Sequence, residues 1–176
     1  TLSKLPNEID LQETGELKLA LQFKDSQGRH ILALLRNYIK SADGNEKITL
    51  KAVQYKVDSM QWKKEWMIWD FIACQNLDIQ GDFLIYLTSI TDIDNNRIFE
   101  TTIAYQMICA GDVSPKTTKV IMRQGKLKYA VRGKSLVKIG KDIKYGGTFE
   151  PDKALNEIPK FKMFLIEKWK IAAGVE

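Results

Sequence analysis

The sequence predicts an α+β domain, with antiparallel sheet that includes a basic C-terminal meander and two or three packing helices, one of them C-terminal. Three observations lead there. Apolar and polar residues alternate from Glu16 to Lys24 and again from Lys47 to Val57, the period of a half-buried strand. Ile31, Leu34, Leu35 and Tyr38 fall at i, i+3, i+4 and i+7, the stripe of an amphipathic helix. Between Thr117 and Ile139, short alternating runs are punctuated by Gly125 and Gly133, as in a meander with tight turns. At 176 residues, 44% hydrophobic and 28% charged, the chain has the composition of one globular domain, which excludes collagen, coiled-coil and wholly disordered classes.

Taken in order, residues 1–14 predict an extended N-terminal arm and residues 15–176 a single α+β domain. In the first strand Leu17, Leu19, Leu21 and Phe23 share a face, and Asp25-Ser26-Gln27-Gly28 is a turn. The helix over 31–38 ends at Asp43-Gly44. After the strand with Val53, Tyr55 and Val57 on one side, Asp58 and Gln61 resemble a capping box. Trp62, Trp66, Trp69 and Ala73 then follow at helical spacing, so residues 59–74 predict a helix. The run Trp66–Cys74 is also apolar enough for a buried strand, and periodicity does not choose between them. Phe83–Thr91 and Ile98–Cys109 read as strands joined by Asp94-Asn95-Asn96-Arg97, whose asparagines tolerate positive φ. The basic runs 117–124, 126–132 and 135–139 come next. Pro159 suits a first helical turn, and Phe161, Leu165, Trp169 and Ala172 trace the stripe of a terminal helix.

Charge is distributed unevenly. The chain carries +5 overall, but residues 115–144 hold ten Lys or Arg against Asp142 alone, leaving the remainder of the chain net acidic. Such asymmetry points to partners rather than to fold. On the run Lys126–Arg132, Lys126, Lys128 and Arg132 share one face of a strand. Lys119 and Arg123 before it, and Lys134 and Lys138 after it, extend the patch. Cations at strand spacing, about 6.7 Å, suit nucleic-acid phosphates or anionic lipid headgroups. The competing reading is a solvated surface with lysine for solubility. Trp62, Trp66 and Trp69 offer an interface for self-association, or core packing if that segment lies inside.

Chemistry is sparsely provided. There is one histidine, His30, read as a surface residue, and two cysteines, Cys74 and Cys109, without metal-ligand spacing. Asp78 and Asp82 bracket a turn at Gly81, and Asp92 and Asp94 flank another, where aspartate is favoured by turn geometry alone. No nucleophile–base pair and no phosphate-cradling glycine loop occurs, so neither a catalytic site, a metal, a cofactor nor a small-molecule substrate is expected. Residues 1–14 read as neither a signal nor a transit peptide, so a cytoplasmic or membrane-peripheral protein is expected. An exported form remains open, since the chain does not begin with Met and a signal peptide removed by processing would leave no trace.

The expectation is therefore a non-enzymatic assembly or scaffold protein docking a Lys/Arg-rich meander on a polyanion, either the RNA or DNA backbone or an anionic membrane, and forming homo-oligomers. The element order and the basic patch are similar to those of viral matrix or coat proteins, an analogy of architecture and charge only. The alternative is an exported bacterial β-rich domain with a Cys74–Cys109 disulfide, binding an envelope polyanion or a protein partner.

Overall fold

The computed structural model describes residues 1–2, 4–6, 9 and 14–175; of the predicted arm, residues 3, 7, 8 and 10–13 lie outside the described residues. Strands take 58% of the described residues and helical segments 14%, so the expected packing of two or three helices is replaced by a mostly β protein with one C-terminal helix. β1 (Glu16–Asp25), β2 (Gly28–Lys40), β3 (Asn45–Asp58) and β4 (Gln61–Gln75) form one antiparallel sheet in sequence order. β5 (Asp78–Phe83), β6 (Ser89–Thr91), β7 (Glu100–Ala110), β8 (Thr117–Gln124) and β9 (Leu127–Lys134) belong to a second sheet. β10 (Val137–Ile139) and β11 (Ile143–Tyr145) make a separate hairpin, and β12 (Thr148–Pro151) returns to the second sheet beside β9. That sheet runs β12-β9-β8-β7-β5, with β6 also on β7. The helix α1 (Pro159–Ala173) follows.

The two sheets pack face to face. Leu32, Leu34, Ile48, Leu50 and Ile68 of the first meet Phe83, Ile103, Met107 and Ile121 of the second. The other face of the second sheet is covered by α1, where Phe161, Leu165 and Trp169 close over Val120, Met122, Tyr129 and Val131. The outer face of the first sheet packs Ile31, Leu35, Val53 and Tyr55 against Ile9, Leu2 and Leu5 of the arm.

This layering explains the two helices that do not form. β2 is buried on both faces, Ile31 and Leu35 outward under the arm, Leu32 and Leu34 inward between the sheets. An apolar run buried on both sides contains a helical stripe by coincidence. Residues 59–74 are the turn and strand β4. Ser59 and Met60 sit at φ 50° and 65°, closing a two-residue hairpin, so Asp58 ends a strand and caps nothing. A bulge at Glu65, where Gln54 faces Trp66 and Tyr55 faces Lys64, shifts the alternation by one and mimics a longer period.

Four smaller corrections follow. Residues 83–91 are not one strand: β5 ends at Phe83, a 3-10 turn spans Ile85–Leu87, and β6 begins at Ser89. Gly81 lies within β5 rather than in a turn, pressed close to Ile48, and its carbonyl accepts from Arg36 Nε at 2.8 Å. The three basic runs do not make one meander, because the third leaves the sheet as β10 and pairs with β11. His30, expected at the surface, is 2% exposed, stacked on Phe23 and set between Asp25 and Glu65.

Candidate anion-binding groove

The site is assembled by a difference in sheet width. β4 is an edge of the first sheet, pairing with β3 alone among the described residues. Beneath and beyond it the second sheet continues through β8 and β9. Strand alternation sends Val120 and Met122 of β8 and Tyr129 and Val131 of β9 into the helix-side core. The intervening residues, Lys119, Ile121 and Arg123 with Lys128 and Arg132, therefore face the first sheet. A cavity of about 390 Å³ lies there, walled by Met67–Asp70 of β4 and floored by Tyr105, Lys119, Ile121, Lys128 and Arg132. A second, of about 590 Å³, continues along the same edge beside Ile72 to Thr117 and Lys134.

Register places like charges opposite one another on this floor. Lys119 pairs across the strands with Arg132, and Arg123 with Lys128. Like charges directly opposed on one sheet face repel. The first pair is neutralised: Lys119 Nζ meets Asp70 Oδ2, which also accepts from Tyr105 Oη at 2.9 Å, and Arg132 is bridged to Asp152. Burial and the Asp70 carboxylate push the Tyr105 phenol far above its ordinary value, so it remains a neutral donor. Neither Arg123 nor Lys128 is held in an ion pair among the described residues. Partial desolvation lowers the Lys128 ammonium, reinforced by Arg132, Arg123 and Lys119, with Asp152 only partly offsetting. Arg123 is likewise lowered by burial, with Glu65 partly offsetting; its guanidinium lies 5.3 Å from the Trp66 ring centroid, and among the described residues its buried Nε has no acceptor.

Of the cations singled out in the sequence, Lys119, Lys128 and Arg132 line the first cavity, and Arg123 stands across from Lys128 just outside it. Lys134 stands further along, its Nζ donating to Thr117 Oγ1 at 3.0 Å. Lys126 is an exposed residue of the β8–β9 turn, and Lys138 belongs to β10, away from this floor. The tryptophans separate. Trp62 packs on the outer face with Arg29 over its ring, Trp66 is buried between the sheets, and Trp69 is half exposed beside the groove. Sequence reasoning missed Asp70, Tyr105 and Asp152. Asp70 carried a signal, being the lone charge in the apolar run 66–74.

Elsewhere, Asp92, Asp94 and Glu100 bring carboxylate oxygens within 4.8 Å of one another. Glu100 is already engaged by Thr91 Oγ1, Ile93 N and Gln124 Nε2, and Asp92 and Asp94 accept from Arg97 N and Asn96 N, so these bonds build the loop before β7. Cys74 of β4 and Cys109 of β7 form a disulfide between the two sheets at the end of the groove. No protein family, curated protein or solved structure matches this chain.

Proposed function

We propose that this protein is a non-enzymatic binding domain that holds an extended anionic chain in the groove along β4. The observation that carries the reading is the Arg123–Lys128 pair, two cations opposed across β8 and β9, Lys128 lining the groove and Arg123 beside it, with no carboxylate in an ion pair with either among the described residues. An anion placed between them relieves a repulsion that Asp152 and Glu65 only partly offset. Lys119 and Arg132 are part-buried beside the β4 edge and Lys128 is exposed at its rim, a cleft that supports a chain as ligand over the flat headgroup plane of a membrane. Tethering β4 to β7 through Cys74–Cys109 supports an exported setting, since disulfides persist in oxidising compartments. The burial of Trp66 and the packing of Trp62 leave Trp69 as the tryptophan available for self-association.

The test compares two charge reversals two positions apart. Lys128→Glu changes the groove floor; Lys126→Glu makes the same change on the turn. Each is titrated with polyglutamate, single-stranded RNA and anionic vesicles across a salt series. Lys128→Glu is expected to weaken polyanion binding by about 10- to 100-fold and to reduce its salt dependence, while Lys126→Glu changes it less than about twofold. Equal losses in both variants make bulk charge responsible and remove the groove from the account. A wild-type protein that binds none of the three near physiological salt overturns the reading.

A further inference from the structure

The groove has a wall as well as a floor, and the wall is a strand with an open side. We propose that the occupant is an acidic peptide that adds to the free edge of β4 as a further strand of the first sheet; this rests on the groove being the binding site. A sheet edge presents unpaired N–H and C=O groups in a row, and proteins guard such edges with lysine, proline, bulges or a covering segment. In β4 the guards stand at one end: Lys63, Lys64 and the bulge at Glu65. From Trp66 to Cys74 there is no Lys, Arg or Pro, and the only charge, Asp70, is engaged by Lys119 and Tyr105 through Oδ2 and accepts from Phe71 N through Oδ1, so a pairing strand would displace that one local bond. The same stretch exposes Met67 at 42%, Trp69 at 50% and Phe71 at 44%. A long apolar edge left unguarded is a template for pairing.

The surroundings specify the chemistry of what pairs. An added strand lies about 4.8 Å beyond β4, and stacked sheets stand about 10 Å apart, so its inward side chains reach across the cavities to the floor. There they meet Lys128 and Arg132, with Lys134 further along. Its outward side chains continue the surface of Met67, Trp69 and Phe71, whose last two rings stand 5.1 Å apart. Successive residues of a strand point to opposite faces, so the fitting sequence alternates acidic with apolar residues. A nucleic acid satisfies the floor but leaves the backbone groups of the wall unpaired.

The experiment uses the intact, oxidised protein and a short peptide alternating glutamate with valine. Its comparators are a block-ordered peptide of the same composition, two analogues N-methylated on alternate residues in opposite phase, and single-stranded RNA. The alternating peptide is expected to bind at least tenfold more tightly than the block-ordered one. One methylated phase loses binding and the other keeps it, because only alternate amides of a strand face a given neighbour. Amides within residues 66–72 gain protection from hydrogen exchange when the peptide binds. Trp69→Lys, which places a guard on an exposed position, weakens the peptide at least tenfold and leaves RNA binding undiminished, whereas Lys128→Glu weakens both. If Lys128→Glu still matters but peptide order and methylation phase do not, strand addition is wrong and the anion groove survives. Tighter binding of RNA, displacing the peptide, makes nucleic acid the occupant. Protection of 66–72 that rises with protein concentration and without peptide assigns the edge to a second copy of this chain; either result overturns the proposal. Binding of every probe that ignores Lys128→Glu overturns the groove and the strand together.

Discussion

The buried imidazole of His30 has Nε2 3.0 Å from Asp25 Oδ1 and Nδ1 3.4 Å from Glu65 Oε2, while Asp25 Oδ2 also accepts from Phe99 N at 3.1 Å. Burial opposes its charge, but the hydrogen bonds to Glu65 and Asp25 outweigh it and hold its pKa above 6.5. Glu65 is held below its ordinary value chiefly by His30. Asp25 is lowered too, burial opposing and the Phe99, Gln27 and His30 donors prevailing. The signs follow. The imidazolium's contribution to stability is complete below about pH 6.5 and is lost as pH rises through the raised folded value. The carboxylates' contribution is present above about pH 4 and is lost as pH falls through their lowered folded values. Thermal stability is expected to peak between about pH 5 and 6.5 and to fall by a few degrees toward pH 8. His30→Gln, which can donate to one of the two carboxylates and does not titrate, should lower stability and flatten the alkaline limb; an unchanged pH profile would remove His30 from the account. None of this was legible beforehand. A histidine after an arginine near a turn reads as surface, and the two carboxylates come from other strands of the sheet, 5 and 35 residues away in sequence.

Strand β4 shows what periodicity can and cannot carry. Its apolar content was plain, and so was its equal fit to a strand. The bulge at Glu65 and a turn without Asn or Gly tipped the pattern toward a helix. In that turn both central residues occupy the left-handed region, which costs a non-glycine residue about 1 kcal/mol or more, and Met60 is 96% exposed with nothing to gain from its side chain. Ser59→Asn with Met60→Gly is accordingly expected to raise stability by about 1 kcal/mol, read as a shift of the urea midpoint at unchanged slope. Loss of stability would mean the turn is not of this type. By contrast β1, β3 and β8 keep runs of alternation long enough for local pattern to read them as strands, although β3 and β8 are buried on both faces and β1 has a register shift between Leu17 and Leu19.

Over the whole molecule, the charge asymmetry of residues 115–144 was visible from composition, and its division into groove, turn and separate hairpin was not. That division depends on which strands the first sheet covers, a long-range matter of sheet width that no window of sequence contains. The Cys74–Cys109 bridge closes a loop spanning 35 residues. Its removal by Cys74→Ala with Cys109→Ala is expected to lower stability by about 3–4 kcal/mol on the loop-entropy account, measured by denaturant unfolding of both forms. A loss under about 1 kcal/mol would show that sheet packing alone fixes their relation. The bridge also has a mechanical consequence. A chain lying along β4 and pulled along its own length loads that strand in shear, with all its backbone bonds sharing the tension at once. At the far end of β4 the load passes through sulfur into β7, an interior strand of the other sheet, so an edge strand with a neighbour on one side only is anchored covalently to the middle of the molecule.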